Sequence, residues 1–442
     1  AVGDDLLMPI ANRALLSPSR WPQFLALVLK QLRSQLALEA ASMPAVAPDM
    51  KDWVDSMALL ASPEDLQLAK AMAQSMQSGE RKAIWLGSSV RSHAQYGQIH
   101  ALAQAIAQHC GARLGVLVEA ANTVGAWQLG LHALGSQRSN AQQMINEPRK
   151  AYIVYQNEPE YDHAQADSSL EALASAETVI VMSAYRSEAM MQYADCLLPI
   201  ASFTETAGTV VNMEGRRQSY SAVVKPLGQS RPGWKVLRVL ADLLKIPSLE
   251  FETIEDLRSS AFAKADACAL SNHLSHVRGL FDDKPITQDR APLERLAEVP
   301  IYSCDAIVRR APSLQATADA HMPALRMHPD TLRALLPSAM AEAQEPGAFA
   351  AGAVVEVCIA DHKVVLNAKS DASTARGVLR MPMALDETRA LPFTEAPISL
   401  RVIGPLSRRT NPGQSAGSAS QASGAASAEH GQAVSSAEAG VA

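Results

Sequence analysis

The sequence predicts an α/β protein in which a parallel sheet carries helices on both faces. Between residues 83 and 199, short continuous apolar runs alternate with segments of helical periodicity, which is the pattern of strands joined by helical crossovers. Each apolar run ends at glycine, proline or polar residues, as buried strands do where a loop begins. With 442 residues, of which 48% are hydrophobic and 19% charged, the chain is long enough for two or three domains.

Two helices are predicted ahead of the first strand. Apolar residues recur at helical spacing over residues 21–38. A second helix is predicted to begin at Ser62, a good N-cap residue, with Pro63 at the first helical position and Glu64 in the first turn. The residues expected to form its buried stripe are Ala69, Met72, Ala73 and Met76.

Five strands follow in the α/β region. They are predicted at residues 83–86, 114–118, 152–155, 179–182 and 196–198, with helices at 99–110, 168–174 and 188–193 between them. Cys110 is predicted to be buried on the apolar face of the first of these helices, which Gly111 ends. Cys196 is predicted to pack in the core, because free cysteine is among the residues most often buried.

The loops after these strands are expected to meet at one rim of the sheet. Residues 119–125 and 156–162 both follow predicted strands, and the carboxyl ends of strands are where open α/β sheets bind ligands. Residues 87–89 lack the spacing of the known phosphate-binding loops, so a plain turn from strand to helix is predicted there. NAD binding is therefore not supported.

The richest group of polar residues lies between residues 194 and 218, after the last of these strands. Pro199 ends the strand because proline has no N–H to give to a sheet. The predicted loop beyond it contains Glu205, Gly208, Thr209, Asn212, Glu214, Gly215 and Arg216. This density of hydrogen-bonding groups, with glycines that permit close turns, indicates a binding site or the remains of one.

Another helix and a second group of strands are predicted beyond this loop. Ser230 is predicted to cap the helix. Its expected buried face consists of Trp234, Leu237, Leu240, Ala241 and Leu244. Strands are predicted at residues 352–360, 363–368, 377–380 and 398–403, with Asp361 and His362 at a hairpin tip.

These patterns divide the chain into four predicted parts. An α/β domain covers residues 1–250, and a helical connector covers residues 251–310. A small β-barrel-like domain is predicted over residues 311–406. Residues 407–442 are rich in serine, alanine and glycine without apolar periodicity, which predicts a disordered tail.

Composition excludes several function classes. The net charge of -6 and the absence of a basic patch argue against a nucleic-acid partner. The sequence has no window of 18 apolar residues, so direct membrane insertion is not predicted. The five cysteines are far apart, so no cofactor, and in particular no iron–sulfur cluster, is expected in this chain. The first residues lack an initiator methionine and a signal-peptide pattern, and we expect the chain to begin within a longer protein.

Two histidines are candidates for a metal site. His273 and His276 are three residues apart, so on a helix they would share a face and could both bind zinc. Two ligands are fewer than a zinc site needs, and a solvated helix face is therefore favoured. No serine or cysteine nucleophile has the sequence context of a catalytic residue.

The polar stretch resembles the signature of the molybdopterin oxidoreductase superfamily. Its residues run ADxxLP from Ala194, then a Thr-Glu pair ending at Glu205, then GTxxNxEGRxQ from Gly208 to Gln218. The variant is most similar to the large iron–sulfur subunit of respiratory complex I, the G subunit of NADH:quinone oxidoreductase. That branch keeps the superfamily fold and is generally regarded as having lost the molybdenum cofactor. Residues 119–125 resemble the same branch.

The resemblance implies a role in the peripheral arm of a proton-translocating complex. Electrons pass there from NADH through flavin and iron–sulfur clusters to quinone. The 2Fe-2S and 4Fe-4S clusters would be held by an N-terminal region that this chain lacks, and the partners would be other peripheral-arm subunits. The location would be the cytoplasmic face of the bacterial inner membrane.

For this portion, the resemblance implies a scaffold without catalytic or metal-binding residues. The polar residues from Glu205 to Arg216 would then be a vestigial pterin pocket. Two alternatives remain open at this point. The chain could be a fragment of an active molybdopterin enzyme of the formate dehydrogenase or nitrate reductase type, or a free-standing domain that binds a small ligand at its rim.

Overall fold

A computed structural model describes most of the chain up to residue 405. The described residues are 2–3, 7–36, 47–131, 139–247, 249–265, 269–277, 279–281, 293–317, 320, 324–336, 352–392 and 396–405. Residues 1–406 form one compact unit. The predicted disordered tail, residues 407–442, lies outside the described residues.

Three helices open the described chain: α1 (Trp21–Leu36), α2 (Pro48–Leu59) and α3 (Pro63–Gln77). The predicted cap of α3 is confirmed, because the Ser62 hydroxyl accepts a hydrogen bond of 3.1 Å from the Asp65 amide. Ala69 and Ala73 are buried as predicted, and Met72 and Met76 pack at the edge of the same core. The predicted helical stripe thus packs α3 against α1.

The five predicted parallel strands are present in two sheets. They are β1 (Ala83–Leu86), β2 (Arg113–Val116), β3 (Ala151–Tyr155), β4 (Thr178–Ser183) and β5 (Cys196–Pro199). Strands β1 and β2 pair with each other, and β4 pairs with β3 on one side and β5 on the other, all in parallel. The α/β fold class is therefore confirmed.

Seven helices connect or flank these strands in the described residues. They are α4 (Ser88–Arg91), α5 (Tyr96–Cys110), α6 (Thr123–Gln128), α7 (Ala141–Asn146), α8 (Pro159–Asp162), α9 (Ala166–Ala174) and α10 (Met190–Tyr193). Helix α5 ends where predicted, since Gly111 adopts the left-handed conformation with φ of 67°, and Cys110 is buried. The predicted turn at residues 87–89 is confirmed, because α4 starts directly after Gly87.

One face of the strands packs against helices, and several side chains on the opposite face of the edge strands are exposed, although Met182 of the central strand β4 is fully buried there. Val179 and Val181 of β4 are buried with Leu173 and Met190. In contrast, Trp85 is 59% and Ile153 50% exposed. The prediction that Cys196 packs in the core is wrong: it is exposed, because it is the first residue of the edge strand β5 and lies on the face opposite to Leu197, which packs with Val181.

The loop predicted beyond Pro199 is mostly a β-hairpin. A turn of 3₁₀ helix at Phe203–Glu205 leads into β6 (Gly208–Val211), which pairs antiparallel with β7 (Arg217–Tyr220). Sequence patterns missed these strands because both are only four residues long and β7 is fully exposed.

The next helix, α11 (Gly233–Leu243), departs from its prediction in two ways. Pro232 is the N-cap residue, and the Ser230 hydroxyl instead donates to the Leu227 carbonyl at 2.7 Å. The prediction of the buried face is also wrong for most of its residues, because only Gly233 and Ala241 are buried and Leu244 is 60% exposed. Helix α12 (Ile254–Ala265) follows and packs beside the hairpin through Phe262 and Ala265.

The remaining chain forms a six-stranded mixed sheet with short helices. The strands are β8 (Glu294–Glu298), β9 (Ala324–Met327), β10 (Ala353–Ile359), β11 (His362–Ser370), β12 (Val378–Pro382) and β13 (Ile398–Pro405), in the order β13-β10-β11-β9-β12-β8. The helices are α13 (Ala306–Arg309), α14 (Pro312–Gln315) and α15 (Pro329–Leu335).

The four predicted strands of this region correspond to β10 to β13. The hairpin tip is Ala360-Asp361 and His362 already belongs to β11, one residue away from the prediction. Strand β8 lies where a helical connector was expected and pairs in parallel with β12. The domain boundaries at residues 250, 310 and 406 remain predictions. None of the described helices is long and apolar enough to cross a bilayer.

Candidate functional site

Asn212 organises the turn of the hairpin. Its side-chain oxygen accepts hydrogen bonds from the amides of Glu214 at 3.0 Å and Arg216 at 2.9 Å. The Asn212 amide donates to the Arg216 carbonyl at 3.1 Å. Gly215 has φ of 82°, a conformation that glycine adopts without strain. The amides of Asn212, Glu214 and Arg216 therefore donate within the turn itself.

The residues at the open end of the hairpin are also paired with near neighbours. The hydroxyls of Thr209 and Ser219 lie 3.1 Å apart across the two strands, and the Arg258 Nε donates to the Thr209 hydroxyl at 2.8 Å. Gly208 lies under the Tyr220 ring, and a Cβ at Gly208 would be 2.3 Å from the phenol oxygen. A larger residue at position 208 would collide with the Tyr220 side chain, so this position requires glycine.

Glu205 stabilises the turn that leads into the hairpin. One of its carboxylate oxygens accepts a hydrogen bond of 3.1 Å from the Ser202 amide, which forms a capping box. The side chains of Glu214 and Arg216 are exposed at the hairpin tip. The structure therefore brings the seven predicted residues into one hairpin and its lead-in turn, but it does not direct them into a common cavity.

The hairpin is bonded to the loop after β2. Two segments that were predicted to lie at the rim of the sheet therefore contact each other. The Asn122 side-chain oxygen accepts a hydrogen bond of 2.9 Å from the Val211 amide. Val124 and Val211 then pack with Phe262 of α12 in a small buried cluster. The Arg217 guanidinium lies 4.1 Å from the centre of the Phe262 ring.

The hairpin residues do not fit a bound pterin. Such a ligand needs donors and acceptors that point together into open space. Here the side-chain oxygens of Thr209 and Asn212 are engaged within the hairpin or with α12, and the space beside Gly208 is filled by Tyr220. No group of three or more metal-ligating side chains occurs among the described residues.

The two candidate zinc histidines are not on a helix. Residues 269–277 form no regular secondary structure, and His273 and His276 are both exposed. The expectation of a shared helix face is therefore wrong at the level of local structure. The segment instead packs Leu274 and Val277 against the N-terminal helical core, and this packing holds it without a helix.

A buried charge cluster that was not predicted from the sequence lies at the carboxyl end of β3. Glu158 is only 1% exposed and accepts hydrogen bonds from two neighbouring arginines. Arg309 Nη2 lies 2.8 Å and its Nε 3.0 Å from one carboxylate oxygen, and Arg310 Nη1 lies 3.0 Å from the same oxygen. Arg310 Nη2 also contacts the other oxygen, and Arg309 bonds Asp162 at 3.0 Å.

The arginines keep Glu158 ionised in spite of its burial. Burial alone would raise the pKa of Glu158, but hydrogen bonds from Arg310 and Arg309 hold that pKa below its ordinary value. The available signal in the sequence was the adjacent pair Arg309-Arg310 and the acids of residues 158–162. The 151-residue separation between Glu158 and Arg309 gives no pattern that would reveal their pairing.

Two further buried polar groups lie beside this cluster. One Glu160 oxygen accepts a hydrogen bond of 3.1 Å from Ser187, whereas the other oxygen and the Tyr193 hydroxyl find no partner in the described part of the chain. Burial, together with the charges of Glu160 and Glu158, raises the pKa of Tyr193. The protonated form of the Tyr193 phenol is therefore favoured.

Two clefts open at the same rim. The larger, of about 360 Å³, lies between residues 156–162 at the end of β3 and residues 299–306, and Ala384 also lines it. Gln156 and Ala384 have positive φ of 47° and 58°. Cys304 lines this cleft, and burial together with the Asp305 carboxylate raises the pKa of its thiol. The second cleft, of about 320 Å³, is formed by residues 186–191 after β4.

The α/β region is similar to a known protein family. A family model described as "Molybdopterin oxidoreductase" matches residues 56–243. This match contains β1 to β7 and ends at the last residue of α11. It therefore includes the whole of the polar stretch from Ala194 to Gln218.

The chain is also similar to subunits of NADH-ubiquinone and NADH-quinone oxidoreductases. The chain is 26% identical over 258 residues to the NADH-ubiquinone oxidoreductase 78 kDa subunit, mitochondrial, of Neurospora crassa, which covers 54% of this chain and 32% of the relative. It is 30% identical over 211 residues to the NADH-quinone oxidoreductase G subunit of Shewanella oneidensis, covering 46% of this chain and 22% of the relative. The chain thus spans about a third or less of the length of these relatives.

A solved structure shares the fold. Acetylene Hydratase from Pelobacter acetylenicus superposes with a TM-score of 0.56 at 15% identity, over 84% of this chain and 64% of that chain. At this identity the similarity establishes the fold alone. The α/β sheets and the C-terminal β region are therefore parts of one known architecture.

Proposed function

We propose that this chain is the C-terminal part of the large iron–sulfur subunit, the G subunit, of NADH:quinone oxidoreductase, and the match of residues 56–243 to the family model described as "Molybdopterin oxidoreductase" supports this proposal. The similarity to the 78 kDa subunit and to the bacterial G subunit supports this assignment. The whole assembly would transfer electrons from NADH to quinone and translocate protons. This portion would be located in the peripheral arm, on the cytoplasmic face of the bacterial inner membrane.

We further propose that this portion is a scaffold that performs no chemistry itself. The observation that carries this step is the hairpin, whose Asn212 and Thr209 side chains are satisfied by neighbouring protein groups. A polar loop that is satisfied internally is stable without a ligand. Iron–sulfur clusters of the full subunit would then be held outside this chain, and the α/β domain would position them against neighbouring subunits.

The assignment is tested by purifying the native full-length subunit under mild conditions. We expect it to co-purify with NADH-oxidising activity that transfers electrons to quinone. Elution alone, without the NADH-oxidising subunits, would show that it is not part of this complex.

The scaffold role is tested separately by elemental analysis of the same preparation. We expect iron and no stoichiometric molybdenum or tungsten. One molybdenum per chain with extractable pterin would contradict the scaffold role and would indicate an active enzyme of the formate dehydrogenase or nitrate reductase type. The two measurements are independent, because membership of the complex and loss of the cofactor are separate properties.

A further inference from the structure

A strap of irregular chain, residues 269–277 and 279–281, lies along one side of α5. Gly97, His100 and Gln104 are spaced i, i+3 and i+7, so they line one side of this helix. All three contact the strap: an added Cβ at Gly97 would meet a side chain of the strap at 3.0 Å, and the other two residues bond its main chain. The strap is therefore seated on one defined face of α5.

The main chain of the strap is held by side chains of α5. The Gln104 side chain accepts a hydrogen bond of 2.6 Å from the Leu274 amide and donates one of 3.2 Å to the Leu274 carbonyl. His100 Nε2 donates to the Asn272 carbonyl at 2.8 Å. Among the described residues, no backbone-to-backbone hydrogen bond joins the strap to another element. The strap can therefore open without breaking the hydrogen bonds of a helix or a sheet.

The strap also connects the polar hairpin with the N-terminal helical core. Near one end, an added Cβ at Gly215 in the hairpin turn would lie 2.7 Å from a Leu270 methyl carbon. At the other end, Phe281 is buried in the helical core, and its ring centre lies 5.3 Å from that of Trp53 in α2. Opening of the strap would therefore remove this link between the hairpin and the core.

Of the α5 side chains that bond the strap in the described residues, His100 is the titratable one. Its side chain is almost fully buried, and its Nε2–H is used by the Asn272 carbonyl, so a further proton would enter at Nδ1. The titratable groups beside it are Tyr96, whose ring centre is 5.6 Å away, and His273, which follows Asn272 in the strap. Arg91 of α4 acts on Tyr96.

A proton on the docked His100 would be poorly stabilised. Burial lowers the pKa of His100, and the hydrogen bond to the Asn272 carbonyl offsets part of this effect. No carboxylate of the described residues contributes to holding a charge on the ring. Water that enters when the strap opens would solvate the imidazolium, so protonation favours the open strap.

We propose that the strap is a pH-dependent switch, which is docked on α5 while His100 is neutral and opens locally when His100 becomes protonated. The sheets need not unfold for this opening, because the strap shares no backbone ladder with them in the described chain. The switch is built from contacts within this chain and is independent of the proposed assignment to a complex.

The pH range of the switch follows from proton linkage. Between the ordinary pKa of 6.5 and the lower pKa of docked His100, the open strap binds one proton more than the docked strap. The opening equilibrium should therefore rise by up to about tenfold for each pH unit below 6.5. It should level off below the pKa of docked His100, where both forms carry the proton.

Hydrogen exchange of the purified protein, corrected for the intrinsic effect of pH on exchange, measures this equilibrium. We expect the protection of strap amides, including Leu274, to fall by up to about tenfold per pH unit below 6.5. The fall should end at the pKa of His100 that an NMR titration of the same protein gives. Amides of β4 should remain more protected than the strap at every pH. A pH-independent strap, or equal protection of the strap and β4, would overturn the local switch.

A pair of variants tests the role of His100. His100→Gln keeps an N–H for the Asn272 carbonyl and cannot take up a proton, so we expect the pH dependence of strap exchange to be lost. His163→Gln is the matched control, because burial also lowers the pKa of His163 but its ring bonds Ser169 at 2.8 Å. We expect this variant to keep the wild-type pH dependence.

Two further variants separate the switch from a purely structural contact. Gln104→Ala removes a neighbouring anchor and should raise strap exchange at every pH while keeping its dependence on pH. His273→Asn should change neither. A pH dependence that persists in His100→Gln, or is lost in His273→Asn, would assign the titration to another group and overturn the role of His100. If the strap of His100→Gln exchanges freely at every pH, agreement between the wild-type exchange profile and the NMR pKa decides.

Discussion

Glu158 shows how a carboxylate in this protein is buried and still charged. Two guanidinium groups surround it, and Asp162 balances part of their charge at 3.0 Å from Arg309. The cluster ties the end of β3 to residues that follow β8 in the chain. Removing one member would leave the opposite charges buried without compensation, which costs more than the pair itself contributes.

We predict that Glu158→Ala lowers the free energy of unfolding by about 3–5 kcal/mol. Urea denaturation followed by circular dichroism measures this change. The control is Glu177→Ala, since Glu177 pairs with Lys150 at 3.0 Å but is 70% exposed. An exposed pair contributes little, so we expect a change within about 1 kcal/mol. Similar losses for both variants would show that the buried cluster has no special role.

At the scale of single elements, helix caps separate a prediction that is confirmed from one that is wrong. The Ser62 hydroxyl accepts from the Asp65 amide, whereas Ser230 lies two residues before the N-cap residue Pro232 and bonds Leu227. The two serines look equivalent in the sequence because each precedes a proline near a helical pattern. Only the conformation of the chain decides which hydroxyl reaches a free amide.

We predict that Ser62→Ala lowers the free energy of unfolding by about 1 kcal/mol, because one amide of α3 loses its partner. Ser230→Ala is the matched control, and we expect a change within about 0.5 kcal/mol. Thermal or urea unfolding of both variants provides the comparison. A larger loss for Ser230→Ala would mean that α11 depends on this serine after all.

The hairpin depends on one side chain from a different loop. The Val211 amide is buried and donates to Asn122, so Asn122→Ala would leave that donor without a partner. We predict a loss of about 1–3 kcal/mol in the free energy of unfolding and faster hydrogen exchange at Val211. Asn146→Ala serves as the control, since its bond to Gln142 is exposed. Unchanged exchange at Val211 would contradict the role given to Asn122.

At the scale of the whole molecule, buried ionisable groups make stability fall with acid. Burial lowers the pKa of His100 and of His163 below the ordinary 6.5. The pKa of Glu158 is lowered from 4.5 because hydrogen bonds from Arg310 and Arg309 outweigh burial, and that of Asp371 from 3.8 because hydrogen bonds donated by Ser373 outweigh burial. In all four the unfolded chain binds protons more readily, so each contribution is present above the ordinary pKa and is lost as pH falls.

We therefore predict two stages of acid destabilisation. The urea midpoint should fall first as pH drops below about 6.5, through the histidines, and again below about 4.5, through the carboxylates. Midpoints measured at steps of half a pH unit give this profile. Replacing His100 and His163 by glutamine should remove the first stage and keep the second. A first stage that persists in that variant would assign it to other groups.

Much of the architecture follows from local patterns. The strands β1 and β3 to β5, the end of α5 at Gly111 and the cap of α3 could all be predicted, because side-chain periodicity, glycine conformation and capping act over a few residues. The predicted polar residues likewise lie together in one hairpin and the turn that leads into it. The hydrogen-bond partners of these residues could not be predicted. Whether the Thr209 hydroxyl bonds a ligand or Arg258 depends on where α12 packs.

The sequence by itself determined the fold class, most strand positions and the resemblance to the molybdopterin oxidoreductase family, because these are encoded in short-range order and in motif residues at constant spacing. Only the tertiary structure decided which groups meet and which faces stay open. It brought Glu158 to Arg309, placed Cys196 in solvent and left Leu243 uncovered. The physical reason is that burial and ion pairing depend on contacts between distant segments, which a local pattern does not specify.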